Sequence, residues 1–146
     1  MRAPLLAALL GGCVTGPGGQ VFTVVGDHDV FIDEVQPVLA ARCSNPACHG
    51  TRARPLALYA TGLHREDPDD TWLDTPLTDD ELWANHLRIV PFVAGAPQAA
   101  TAPLLARPLD PDAGGSGHGG GVQFFDPDEP EFIALQAWVS TALEED

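Results

Sequence analysis

The chain has 146 residues, enough for one domain and hardly two. Seven arginines, no lysine and 21 acidic residues give a formal charge of −14, which disfavours nucleic acid and anionic lipid surfaces as partners because both repel such a chain. Fifteen glycines and 14 prolines predict a loop-rich domain with a small core, the kind stabilised by a disulfide, a metal or a cofactor.

The first element is an export signal. Arg2 is a basic start, Ala3 to Leu10 form a short apolar run, and Gly11 and Gly12 are small residues before a cut. That run is too short to cross a bilayer, which takes about 20 apolar residues. The order Leu10-Gly11-Gly12-Cys13 resembles the lipobox of bacterial lipoproteins. The resemblance implies that residues 1–12 are removed and that Cys13, now first, carries a lipid that holds the protein to a membrane of the cell envelope. The competing reading is an ordinary secreted protein cut nearby. No later apolar run is long enough to span a membrane, so the rest of the chain is expected to be soluble.

Residues 13–26 then read as a lipidated tether, rich in Gly and Pro at 14–20, with a short β-branched strand over Val21–Val25. Residues 27–146 read as the folded domain. Asp27 or Asp29 can cap a helix whose apolar residues Phe31, Val35 and Leu39 recur at i, i+4 and i+8. Pro37 lies inside it and is expected to kink or shorten it. Leu56, Leu58 and Tyr59 form an apolar patch, and residues 64–74 read as a solvated acidic loop. Thr78 and Glu81 form a capping box for a helix running to about Val90, where Pro91 stops it. Leu82, His86 and Ile89 on one face and Trp83, Leu87 and Val90 on another predict a well-buried helix. Residues 94–103 are a Pro-broken connection, with Leu104 and Leu105 as anchors. Residues 108–121 are dense in Gly and Asp around His118. Residues 126–130 open a last helix with the apolar stripe Phe132, Leu135, Val139 and Ala142, and Trp138 beside it. Glu144, Glu145 and Asp146 crowd its end, unfavourably placed against the helix dipole.

Lipidation of Cys13 leaves Cys43 and Cys48, with His49 directly after them. In an exported chain this cluster has three physical readings. Two thioethers to a porphyrin, with the adjacent His on iron, usually use C-x-x-C-H; here four residues separate the cysteines. A Cys43–Cys48 disulfide suits an oxidising compartment, with modest entropic gain from so short a loop. A zinc site would use Cys43, Cys48, His49 and a distant His, at a spacing zinc tolerates. No G-x-S-x-G elbow, phosphate-binding glycine loop with Lys, or H-E-x-x-H accompanies them, so no enzyme is expected.

The stretch from Phe31 through Val35, Pro37, Leu39 and Cys43 to Cys48-His49-Gly50 resembles the opening of cytochrome-c-like domains in bacterial lipoproteins of the planctomycete and myxobacterial type. So do Arg54-Pro-Leu-Ala-Leu58-Tyr59, Ala102-Pro103-Leu104-Leu105, His118-Gly119-Gly120-Gly121 and Leu135-Gln-Ala-Trp138-Val139, in that order. The resemblance covers residues 31–140 and departs from the usual motif in its widened C-x4-C-H spacing. It implies a mostly α, loop-rich, cytochrome-c-like domain of three to four helices. One haem c would be attached at Cys43 and Cys48, with His49 as proximal ligand, to carry electrons to an unidentified redox protein. The only Met is Met1, which leaves with the signal, so a Met sixth ligand is excluded by counting. His118, between glycines, is the expected second metal ligand, and the resemblance points the same way. His86 is the alternative, while His28 and His64 read as solvated. Arg52 and Arg54 are candidates for haem propionates, and Trp72, Trp83 and Trp138 for packing near the ring. The rival function is a non-redox surface lipoprotein closed by the Cys43–Cys48 disulfide.

Overall fold

The computed structural model describes residues 26–144. The expected signal peptide, the lipid site at Cys13, the strand over Val21–Val25 and the two last acidic residues lie outside the described residues. Within them the domain is mostly α and loop-rich, as expected, and its β pairing is limited to isolated bridges at Ala60–His64 and Leu109–Phe124.

The first helix, α1, runs unbroken over residues 28–43. Asp27 caps it by accepting from the Asp29 and Val30 amides. Pro37 does not stop it. Proline lacks an amide hydrogen, so the regular hydrogen-bond ladder cannot pass through it. The backbone answers with wide π turns on either side, over Phe31–Val35 and Leu39–Cys43. In the first, the Gln36 amide reaches back to the Phe31 carbonyl; in the second, the Ser44 amide reaches Leu39. Phe31, Val35, Val38 and Leu39 all face the core. Burying each such side chain contributes about 1.5–3 kcal/mol. The helix also delivers Cys43 to its own C-terminal end.

Helix α2 covers Asp79–Ile89 and shows both halves of the expected capping box: Thr78 accepts from the Glu81 amide, and Glu81 accepts from the Thr78 amide. A single tight turn, Val90–Phe92, carries the chain over Pro91. The burial of α2 differs from expectation. Trp83 is 43% exposed and Leu87 is exposed, whereas Glu81, Asn85, His86 and Ile89 are buried. The inward face is largely polar, and hydrogen bonds compensate each group.

Glu81 meets Arg65, itself only 2% exposed. The Arg65 Nε and one terminal nitrogen both donate to the carboxylate, at 2.8 to 3.2 Å. The Glu66 amide donates to it as well, at 2.8 Å, and Arg65 also reaches the Thr75 and Pro76 carbonyls. The acidic 64–74 loop is therefore pinned at its start rather than solvated throughout. Burial alone would raise the Glu81 pKa. Arg65 and the Glu66 and Thr78 amides outweigh it and hold the carboxyl at about 2.

The short helix α3, Pro103–Ala106, buries Leu104 and Leu105. Helix α4, Pro130–Glu144, follows an Asp126 turn and buries Phe132, Leu135, Trp138, Val139 and Ala142, the expected stripe. Trp138 donates from its indole nitrogen to the Asp27 carbonyl at 3.0 Å, tying α4 to the start of α1.

His86 is a buried, hydrogen-bonded core histidine, the commoner reading of its place on an apolar helix face, whereas His28 is not the solvated loop residue expected. Their Nδ1 atoms lie 2.7 Å apart, so one ring donates and the other accepts. His28 stacks on Trp83 with ring centres 3.7 Å apart, and His86 stacks on Phe31 and meets the Trp138 edge. His64 donates through Nδ1 to the Leu58 carbonyl, 2.9 Å away, and its Nε2 is buried.

Two outcomes follow from these buried polar groups. Arg65→Leu strands the Glu81 carboxylate and is expected to lower stability by about 3–5 kcal/mol in a urea titration, whereas the neutralising double substitution with Glu81→Gln recovers part of that loss. His86 is held near 4, below its ordinary 6.5, mainly by burial and then by His28, with Asp27 pulling the other way. The folded protein therefore resists a proton that the unfolded chain accepts. Stability is full above about pH 6.5 and falls as pH drops toward about 4. The corresponding measurement is the urea midpoint against pH, which His86→Leu should flatten over that window.

Candidate functional site

The site begins where α1 ends. The four residues between the cysteines form a closed turn. Ser44 donates through its hydroxyl to the Leu39 carbonyl, Asn45 accepts the Ala47 amide on its side chain, and the Asn45 carbonyl takes the amides of both Cys48 and Gly50. The His49 amide then returns to the Cys43 carbonyl at 3.1 Å. The widened spacing is thus absorbed in an Asn-Pro turn that brings Cys48 and His49 back beside Cys43. Gly50 is required there, because a Cβ at this position would run into the Ser44 carbonyl oxygen.

Cys43 and Cys48 are free thiols, both partly buried. Burial, reinforced by the neighbouring Cys48 and only partly offset by Arg42, pushes the Cys43 thiol up to about 11. It is a protonated thiol at neutral pH, which suits neither thiolate ligation nor fast disulfide exchange.

His49 is oriented from behind. Its Nδ1 lies 2.8 Å from the Leu56 carbonyl, so it carries the hydrogen and donates, which leaves Nε2 as a free lone pair. The His49 carbonyl in turn accepts the Leu58 amide at 2.7 Å.

These residues open onto a cleft of about 120 Å³. Leu39, Leu56, Phe92 and Leu104 supply apolar walls, and Cys43, Cys48, His49 and His118 all line it. Apolar walls with a few convergent polar groups are the lining of a small-molecule or cofactor site. The His49 and His118 rings face each other across it, their centres 6.4 Å apart and their planes 14° from parallel. The Nδ1 of His118 is buried with no hydrogen-bond partner. Burial first, then His49 and Arg107, lower the His118 pKa, so its ring is neutral at neutral pH and keeps a lone pair.

The structure brings together Cys43, Cys48, His49 and His118, the residues the sequence singled out. It separates them from the others. His86 belongs to the His28 stack and does not line the cleft. Trp72 is 88% exposed, Trp138 closes the far end of α1, and no tryptophan lines the cleft. Arg52 and Arg54 bind the Glu66 and Ala47 carbonyls at the surface. The cleft instead holds Arg42, which directly precedes Cys43, and Arg107, which is distant in the chain from the motif. Arg42 already pairs with Glu129 and Glu131 and reaches the Gln123 carbonyl. The zinc reading fails on donors: among the described residues no three of His, Cys, Asp or Glu converge to hold a bare ion. Two facing imidazoles can hold a metal only if a ligand supplies the remaining donors.

The turn geometry sets a direct expectation. Gly50→Ala must displace the Ser44 carbonyl and should cost about 1–3 kcal/mol in urea unfolding, well above the cost of the same change at open Gly119. Comparison with protein-family models, with curated proteins and with solved structures gave no match to this chain.

Proposed function

We propose that the cleft holds one covalently attached haem and that the protein is an electron-transfer module of the c-type cytochrome kind. The observation that carries this reading is the pair of facing rings, His49 and His118, with two thiols on the same cleft wall. A macrocycle supplies the donors that the protein lacks. In this reading Cys43 and Cys48 would form the thioethers, and His49 and His118 would ligate the iron. When bound, the haem supplies a one-electron couple, and two imidazoles without Met favour a lower potential than a His/Met pair.

The chain's own residues prepare that role. Leu56 sets the His49 tautomer. The apolar walls of Leu39, Leu56, Phe92 and Leu104 keep water from the ring faces. Arg107 places a cation at the cleft edge, the type of group that pairs with a propionate. The export signal and the lipid on Cys13 complete the proposal: the domain is held at a membrane of the cell envelope, where haem attachment occurs. Its charge of −14 favours a redox partner with a basic face and disfavours nucleic acid. We assign no enzyme activity to the domain itself.

The full chain, expressed with a haem-attachment system, should be coloured, should gain the mass of one haem and should show a low-spin Soret spectrum that Cys43→Ala with Cys48→Ala abolishes. A colourless product with a mass two hydrogens below the reduced chain would reject haem in favour of the Cys43–Cys48 disulfide. Mass spectrometry of the same material reads the lipid, expected on an N-terminal Cys13.

A further inference from the structure

The two cleft histidines are held very differently. His49 is fixed at three points: its ring on the Leu56 carbonyl, its amide on Cys43, and its carbonyl under the Leu58 amide. The ring of His118 is held by no residue outside its own loop, and its Nδ1 is buried and unpartnered. Its backbone carbonyl accepts only the Gly121 amide.

The loop around His118 is anchored at two ends. Ser116 donates its amide to the Ala106 carbonyl, and the amides of Gln123 and Phe124 both go to Pro108. Between those anchors the hydrogen bonds are internal to the loop: Gly121 to His118, and the Gln123 side chain to the Gly120 carbonyl. Gly117 and Gly121 flank the histidine at φ +70° and +79°. A Cβ at Gly121 would meet nothing within 4 Å, and one at Gly117 only a Pro111 ring carbon at 3.8 Å. These are two permissive backbone joints with open space around them. The segment can turn about them without breaking a hydrogen bond to the rest of the domain.

We propose that His118 is an exchangeable ligand and that the cleft is a binding site for a small exogenous lone-pair donor, a diatomic gas or a small anion. The proposal rests on the haem reading above and adds to it a ligand-binding function that a simple electron carrier lacks. In the exchange, the His118 nitrogen leaves with its lone pair as the loop turns outward, and the incoming donor brings its own. No electron changes hands: one lone-pair donor replaces another. His49 stays in place because Leu56 holds it. Arg107 lies beside His118 at the cleft edge and pairs with no carboxylate among the described residues, so it favours an anionic ligand over a neutral one.

The test uses the full-length haem-loaded protein and two probes: cyanide on the oxidised form and carbon monoxide on the reduced form, followed by the Soret band. Wild type should bind both, with a rate that saturates at high probe concentration because loop opening becomes limiting. His118→Ala should bind at least 10-fold faster and without saturation. Arg107→Leu should weaken cyanide several-fold and leave carbon monoxide unchanged. A low-spin, haem-loaded wild type that takes up neither probe overturns exchange and leaves the haem reading standing. A His118→Ala spectrum identical to wild type overturns His118 as a ligand. A colourless, unloaded product ends both readings. Far-UV circular dichroism checks that each variant keeps its fold.

Discussion

The side-chain amide of Asn85 holds the architecture of the site together. It is fully buried and makes three hydrogen bonds. Its oxygen accepts the Tyr59 amide, and its nitrogen donates to the Tyr59 carbonyl and to Gln36. Helix α2 thereby grips the 56–60 segment as a neighbouring strand would, and Gln36 ties that grip to α1. Arg88, one turn on, adds the Ala57 carbonyl and lies over the Tyr59 ring. The same short segment ends in the Leu56 carbonyl that orients His49. The position of the imidazole therefore depends on a polar core two layers away. An unpaired amide there would cost about 1–3 kcal/mol, which makes the arrangement all-or-none.

This polar core explains what could and could not be read from the sequence. Regular local patterns were legible. Phe31, Val35 and Leu39 repeat at helical spacing, Thr78 and Glu81 meet through backbone amides three residues apart, and the α4 stripe is continuous. All of these are settled by one or two turns of chain. The π turns around Pro37 were not legible, because proline specifies only which bond is missing. Whether the helix breaks or widens depends on the core that α1 is pressed against. Trp83 and Leu87 misled for a related reason. Their apolar character suggests burial, but the inward face of α2 was already taken by Glu81 and Asn85, whose partners Arg65 and Tyr59 lie 16 and 26 residues away. Hydropathy cannot foresee a compensated polar group.

The candidate site shows the same division. Cys43, Cys48 and His49 are adjacent in sequence, and their turn chemistry is local: Asn45 and Gly50 explain how four intervening residues can still return the chain to Cys43. His118 was legible through its flanking glycines alone. Arg107 was not, because only the folded chain brings the residue after α3 to a cleft that begins at the end of α1. The arginines that sequence proximity favoured, Arg52 and Arg54, were drawn off by nearby backbone carbonyls.

Charge gives the cleft its remaining character. The chain as a whole is strongly acidic, yet the cleft is lined by two guanidiniums and two imidazoles and by no carboxylate. Arg42 is neutralised by Glu129 and Glu131, at the start of α4, so it serves as a strut between helices. Arg107 is not, and it alone sets the sign of the local field at the mouth. Exposed acidic residues and this single cation act over different ranges. In solution of ordinary ionic strength the acidic surface is screened beyond about 8–10 Å. Inside that distance Arg107 dominates, and it is strengthened by the apolar walls behind it. The protein thus combines an acidic exterior with a cleft whose charged side chains are both cationic. Two requirements that seem opposed at the level of composition are met by placing one arginine beside His118.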